Sequence, residues 1–450
     1  MAYSLTQNLG EFIAGLRFES IPADALPVIK MGFTDCIGVM MAGSGEAVVG
    51  LLIATLAPPP GDSRLLLGRR TAPAPLAAWI NGASAHALDY DDVALRGHPS
   101  AVLVPAILAE AQAIGASGAD MVAAYAAGYE TWAELARRDA DHYHEKGWHP
   151  TGVFGAVGAA AACANLLKLS AHHCAQAIAL AGSQSSGLMA NFGTMTKPFH
   201  AGRAAHAGVL SARLVKGGFT ASGDALEHPQ GFLSALSPRG RIDKDTAIEA
   251  GTSWKLLTAK LGIKKYPLCY CTHRALDAIH DLVKETPIAA TSVKRVVVHT
   301  SRHNATILRN HLPQTGLEAK FSMEFAMASV LVFGRAGLSE LQDDFVRRRE
   351  VQSLMGRVVV EADCEEDPAT PGKLPFDLVA VETNEGRVQL SRKVKDIRGG
   401  PELPLSREEL WGKFSDCLRV SGGLPARDLF DRLMELDTLS NANDLPYSSQ

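Results

Sequence analysis

The hydrophobic periodicity of this 450-residue chain changes near residue 266, and no single regular architecture accommodates both textures. Upstream, ADALPVIKMGFTDCIGVMMAGS from Ala23 and SGADMVAAYAAGYETWAELARR from Ser117 repeat apolar residues at helical spacing. SAHHCAQAIALAGSQ is alanine-rich behind a cap at Ser170. Downstream, SVKRVVVHTS (292–301) and GRVVVEAD (356–363) are β-branched runs. DLVAVET and RVQLSRKV, on either side of Asn384-Glu385-Gly386, predict a hairpin. AKFSMEFAMASVLVFGRAG between them reads as helix, and so do SREELWGKFSDCL from Ser406 and ARDLFDRLMELDTL after it. The expected fold is mainly α with an α+β second domain. An all-helical domain covers 1–265, a smaller α+β domain 266–402, and C-terminal helices in 403–450 return to the helical part.

Hydrophobic residues make up 47% of the chain but aromatics only 6%, so the core is built from Ala, Leu, Val and Gly. Side chains this small let helices approach closely. A net charge of -4 with scattered basic residues offers no field for a polyphosphate, which argues against nucleic acid as a partner. The first twenty residues lack a basic segment followed by an apolar one, and VFGAVGAAAACANLL from Val153 is shorter than the roughly 18 apolar residues of a membrane span. A cytoplasmic protein without a membrane partner is expected. Seven cysteines without zinc-ribbon spacing fit reduced thiols, and the Cys269–Cys271 pair before His273 lacks a second ligand pair for zinc.

Neither a Walker A pattern, a GxGxxG, an HExxH nor a GxSxG occurs. Four polar islands remain in apolar surroundings: ALDYDDVALRGHP, HYHEKGWHPTG, NFGTMTKPFHAGRAAH and KKYPLCYCTHRALDA. Read singly, each has a bland alternative. An Asp-rich helix end such as the one at Asp89 serves as a cap, and His98 and His149, each before a proline, can be solvated turn residues. Lys197 is more informative, because it leads into a small-residue helix where a buried cation needs a partner or a task. His273 opens a helical run with Thr272 as its expected cap, and the helix dipole there favours neutral imidazole, which can accept a proton.

Taken in order, HALDYDD from His86 with His98-Pro99 after it, NFGTMTKP from Asn191, KKYPLC from Lys264, Thr272-His273 and AKFSM from Ala319 resemble the MmgE/PrpD family. The resemblance runs over nearly the whole chain. That family includes 2-methylcitrate dehydratases, cis-aconitate decarboxylases and an iminodisuccinate epimerase. The resemblance implies a large helical domain with a smaller α+β lid, a homodimer, no metal and no organic cofactor. It also implies a cleft lined by Asp89, His98, Lys197 and His273, acting on a small polycarboxylate.

Each of these reactions passes through a carbanion-like state beside a carboxylate, which calls for a base at the C–H and fixed positive charge on the carboxylate. His273 or Asp89 can take the proton, Lys197 can hold the carboxylate, and His98 can act as the acid. Arg203 and Lys265 are further carboxylate clamps by type, and Tyr143 and His149 are candidate substrate contacts. His86, Asp89, Asp91, Asp92 and His98 then form an acid/base and structural cluster, not a metal site, with Asp91 and Asp92 bracing. Val93 stands where the decarboxylase-type pattern has a threonine. That departure argues against cis-aconitate decarboxylation, whereas RGHPS from Arg96, with GWHPT from Gly147 and Tyr143 before it, resembles the epimerase branch. The activity expected first is a 2-methylcitrate dehydratase-like hydro-lyase. An epimerase is the alternative, and decarboxylation or non-catalytic carboxylate binding follow behind.

Overall fold

Small residues at the helix crossings organise the first unit. The computed structural model describes residues 4–66, 70–363 and 375–446. It divides into one unit of Met1–Ile263 with Arg407–Gln450 and a second of Lys264–Ser406, where boundaries at 265 and 402 were expected. In the first unit the helical periodicity becomes α1 (Leu5–Gly15), α2 (Leu26–Gly43), α3 (Ala47–Leu56), α4 (Ala74–Ala87) and α5 (Ser100–Ile114). α6 (Gly118–Arg137), α7 (Pro150–Leu166), α8 (Ala171–Gly182) and α9 (Thr196–Lys216) follow. The cap at Ser170 acts as read, its hydroxyl accepting the His173 N–H on α8, and a capping box of Ser117 and Asp120 starts α6. A two-residue ladder, β1 (Ser63–Arg64) with β2 (Thr71–Ala72), precedes α4.

The α4–α9 crossing shows why alanine and glycine dominate this core. A Cβ on Gly82 would stand 2.8 Å from the Gly202 Cα, and one on Gly202 would stand 2.2 Å from the Trp79 carbonyl oxygen. Gly128 of α6 and Gly158 of α7 face each other in the same way, each Cβ position 2.7–3.1 Å from the other's carbonyl oxygen. Because the Gly202 obstacle is backbone, Gly202→Ala must push α4 and α9 apart. A loss of about 3 kcal/mol is expected, read as a lowered midpoint in urea denaturation.

The segment Ala23–Gly43 is long and apolar enough to cross a membrane, a property the reading of the Val153 stretch did not cover. In the structure 78% of its apolar window is buried, as in a core helix. The C-terminal helix Arg407–Val420 packs on α2, with the Phe414 ring 2.9 Å from where a Gly38 Cβ would be.

The second unit is built on a four-stranded mixed sheet, order β4-β3-β5-β6. β3 (Val293–Ser301) runs parallel to β4 (Val358–Asp363) and antiparallel to β5 (Leu378–Thr383), which pairs with β6 (Val388–Leu390). The last two are the hairpin read at Asn384-Glu385-Gly386, with Gly386 at φ +79°. The helix Met323–Phe333 is capped by Ser322 and stopped by left-handed Gly334. It packs with the helix His273–Glu285 and Val296, Val298, Val379 and Val381 of the sheet in one core. Thr272 does not cap the latter helix as expected: its hydroxyl donates to the Cys269 carbonyl within a 3-10 turn.

Candidate active site

α4 ends at Ala87, one residue after His86, and the chain then turns sharply. Asp89 takes a left-handed φ of +53°, which costs a residue with a Cβ about 1–2 kcal/mol. Leu95 and Arg96 are also left-handed, at the tip of a tight turn closed by Ala94 and Gly97. Three contacts offset that strain. Val93 bridges Gly262, the Trp132 indole donates to the Leu95 carbonyl at 3.3 Å, and Arg96 donates to the Asp141 carbonyl at 2.9 Å. The loop returns through His98-Pro99 into α5. Asp92 accepts the Ser100 N–H (3.2 Å) and hydroxyl (2.9 Å) there, so its expected bracing role is seen directly.

This loop and the start of α9 bring together three of the residues read from sequence. Lys197 Nζ lies 2.6 Å from Asp89 Oδ1, so the lysine has the partner its position demanded. His98 stands on the same loop, with Nδ1 2.9 Å from both Asp91 Oδ2 and the Asp92 carbonyl oxygen. His86 Nδ1 reaches the same carboxylate at 2.9–3.0 Å. Asp91 is thus the hub of the cluster, a larger part than bracing. Asp89, His98 and Lys197 keep 19%, 13% and 14% of their side chains exposed, whereas His86 and Asp91 are buried beneath them. A solute therefore meets the first three.

Since the partners of His98 and His86 are oxygens without hydrogens to give, both imidazoles donate from Nδ1. Neutral His98 therefore carries its lone pair on Nε2. A carboxylate behind an imidazole in this tautomer is an acid/base pair of the kind that orients catalytic histidines. By type and spacing, His86, Asp89, Asp91 and His98 could also hold a divalent metal, their ligand atoms lying within 4.8 Å of one another. Lys197 supplies a cation at Asp89 in their place.

His149 continues the cluster. As N-cap of α7 it stacks on His86 at 5.8 Å and places Nδ1 3.2 Å from Nδ1 of His200, so one ring must donate and the other accept. Gly187, at φ +127°, leaves room for both rings. Phe192 sits edge-on to His149 and 5.4 Å under the Lys197 ammonium. Within the first unit, Tyr143 and Arg203 make other contacts. Tyr143, expected as a substrate contact, is a buried core residue against Phe154, its phenol pushed up by burial. Arg203 donates to His206 Nδ1 at 2.6 Å and lies over the Trp79 ring, its contacts separate from the Asp89–His98 cluster. His273 and Lys265 belong to the second unit. There His273 donates from Nε2 to the Leu268 carbonyl at 3.2 Å, between the rings of Tyr266 and Tyr270, and the Lys265 ammonium is 5.6 Å above the Tyr266 ring.

Burial dominates the electrostatics. It pushes His86 down to about 4 despite the Asp91 carboxylate, with Lys197 and His98 adding to the depression. His149 is driven further down by burial and by His86, Lys197, His98 and His200, and His200 follows by burial and Lys197. Burial opposes ionisation of Asp91, yet His86 and His98 together hold it well below the usual carboxylate range. Asp92 is pushed up by burial, Asp91 and Asp35.

The consequence for stability has a definite sign. A histidine depressed in the folded state is protonated first in the unfolded chain, so stability drains as pH falls below about 6.5. For His86 the loss runs down to about 4 and amounts to about 3 kcal/mol. Asp91, depressed instead, contributes stability that is complete above the ordinary carboxylate range and lost only below it. The melting temperature is therefore expected to fall steeply between pH 6.5 and 4. A flat profile across that window in calorimetry would contradict the burial of these rings.

The sequence placed His86 and Asp91 in the cluster but not their pairing, because the left-handed turn at Asp89, which folds one back onto the other, leaves no spacing signature. His200 did carry a signal, three residues after Lys197 and so on a neighbouring position of the same helix turn.

The family model described as MmgE/PrpD N-terminal domain matches residues 7–244, and that described as MmgE/PrpD C-terminal domain matches 266–430. A cis-aconitate decarboxylase of Homo sapiens is 29% identical over 357 residues, covering 76% of this chain and 72% of the relative. One of Mus musculus is 26% identical, covering 92% and 86%, and one of Aspergillus terreus is 25% identical, covering 98% and 95%. With both domain models matched across most of its length, the chain is an enzyme of the MmgE/PrpD family.

Proposed function

We propose that this enzyme is a lyase acting on a small tricarboxylate, and that its first reaction to test is decarboxylation of cis-aconitate or a close unsaturated analogue. The carrying observation is the Lys197–Asp89 pair beside the His98–Asp91 dyad, three partly exposed groups over a buried base. The absent hydroxyl at Val93 argues against decarboxylation, which from sequence stands behind the hydro-lyase and the epimerase. Relatives named cis-aconitate decarboxylases raise it above the dehydratase reading, which finds no counterpart among them.

The chemistry follows from the charges. Breaking the C–CO2 bond of an allylic carboxylate releases CO2 and leaves an electron pair spread over the neighbouring double bond and its carboxylate. The Lys197 ammonium stabilises that carboxylate, after exchanging Asp89 for substrate. Protonated His98 then delivers the proton from Nε2 to carbon, while Asp91 carries the counter-charge. One carboxylate leaves as CO2, one proton is taken up, and an unsaturated dicarboxylate remains. His273 is a further candidate by resemblance alone.

A hydro-lyase is the second reading, favoured by Val93, whose main chain is tied to Gly262 in both directions (2.8 and 2.9 Å). His98 would then protonate a leaving hydroxyl. Proton NMR in deuterium oxide with cis-aconitate, 2-methylcitrate and iminodisuccinate separates the cases. Deuterium at one carbon with CO2 release marks the carboxy-lyase; a new alkene without CO2, seen as a vinylic proton or as the 2-methylcitrate methyl doublet collapsing to an allylic singlet, marks the hydro-lyase; and loss of an α-hydrogen with the skeleton unchanged marks an epimerase. Silence with both tricarboxylates overturns the proposal.

A further inference from the structure

One buried charge in the first unit takes no part in this chemistry. Lys413, midway along the helix Arg407–Val420, has a side chain only 4% exposed. Its Nζ lies 2.6 Å from Asp35 Oδ1 on α2, donates to the Tyr90 carbonyl at 2.8 Å, and sits 3.9 Å above the Tyr90 ring. An ammonium is costly to bury, and a hydrophobic residue of its size commonly serves a helix contact at least as well. The contact itself has other support, because Leu410, Phe414, Cys417 and Leu418 of the same helix are all buried. What only Lys413 adds is direction. It reaches a carboxylate, a carbonyl and a ring face at once, and two of the three belong to Tyr90.

Tyr90 is the residue between Asp89 and Asp91. Its peptide follows directly on the left-handed Asp89, where the backbone gains nothing from regular structure. We propose that Lys413 is a positioning residue: by holding the Tyr90 carbonyl it sets Asp89 against Lys197 and Asp91 against His86 and His98. The C-terminal helix, remote in sequence from the loop, thereby completes the site. As far as turnover is concerned, this rests on the proposed lyase reading.

The test compares neutral pairs in the full-length protein. K413M alone removes the ammonium that faces the buried Asp35 carboxylate and is expected to lose both stability and activity. In D35N/K413M that charge is gone, so the melting temperature recovers, but kcat stays at least tenfold below wild type with KM changed less than threefold. D35N/K413Q, equally neutral but with an amide donor for the Tyr90 carbonyl, recovers at least threefold of that loss. Equal kcat in the two doubles, or recovery of kcat together with stability in D35N/K413M, overturns the proposal and leaves Lys413 only balancing Asp35. Should the doubles fail to fold, K413R decides: it keeps a charged donor, and a folded K413R as impaired as K413M contradicts the assignment. If wild type turns over none of the acids, the function reading has failed and nitrogen-15 histidine NMR decides instead. Displaced ring signals of His86 and His98 in D35N/K413M support positioning, and unchanged ones refute it.

Discussion

Replacing Lys197 with alanine is expected to lower kcat about a thousandfold, about 4 kcal/mol in the barrier, the scale set by removing one preorganised electrostatic contact from a reacting centre. The fold should survive the change. Lys197 lies in the first turn of α9, while the helix is anchored further along by the close approaches at Gly202 and Gly208. The side chain is partly exposed, and its loss leaves Asp89 with solvent access instead of a sealed, unpaired charge. Melting within a few degrees of wild type, with turnover gone, is the expected combination. Lys197→Arg should recover only part of the activity, because a planar guanidinium cannot occupy the point position of an ammonium between Asp89 and the Phe192 ring. If Lys197→Ala retained turnover within tenfold of wild type, the ammonium would have to be removed from the mechanism.

The sequence made the elements legible and left their convergence hidden. Helical periodicity, serine caps and β-branched runs are local, so α6, α8, the Met323–Phe333 helix and the β5–β6 hairpin stand where those signals lie. Close helix packing was also readable, as an excess of small residues, though not the pairing of Gly82 with Gly202. The site depends on a different kind of information. Lys197 and Asp89 are 108 residues apart, and their pairing at 2.6 Å follows from α4 crossing α9, a tertiary outcome. Asp91 looked like a brace because nothing in ALDYDDV shows that Asp89 turns left-handed and swings Asp91 back under His86. Lys413 was invisible for the same reason, as one lysine on an amphipathic helix that proves to face inward. Tyr143 was named from a family resemblance, which carries no information on burial, and the fold packs its ring against Phe154.

Asp91→Asn is the sharper test of the dyad, because it changes hydrogen bonding without changing shape. In the native protein two Nδ1–H donors, from His86 and His98, converge on one carboxylate. Both reach Oδ2, and His86 also reaches Oδ1 at 3.0 Å, so an amide in either orientation turns its NH2 group toward the buried His86 Nδ1–H. His98 Nδ1 keeps the Asp92 carbonyl oxygen at 2.9 Å as an acceptor in either case. What His98 loses is charge: the neutral amide no longer offers counter-charge to the imidazolium that delivers the proton. The kcat is therefore expected to fall about a thousandfold or more, near the loss seen when a carboxylate behind a catalytic histidine becomes an amide. Stability gives an independent reading. Wild type should lose the Asp91 contribution below the ordinary carboxylate range, whereas the variant, with nothing to protonate at that position, should lack that part of the acid transition. Turnover within tenfold of wild type, with the acid transition altered as described, would show that Asp91 holds the loop together without directing His98, and the proton would then have to come from another group.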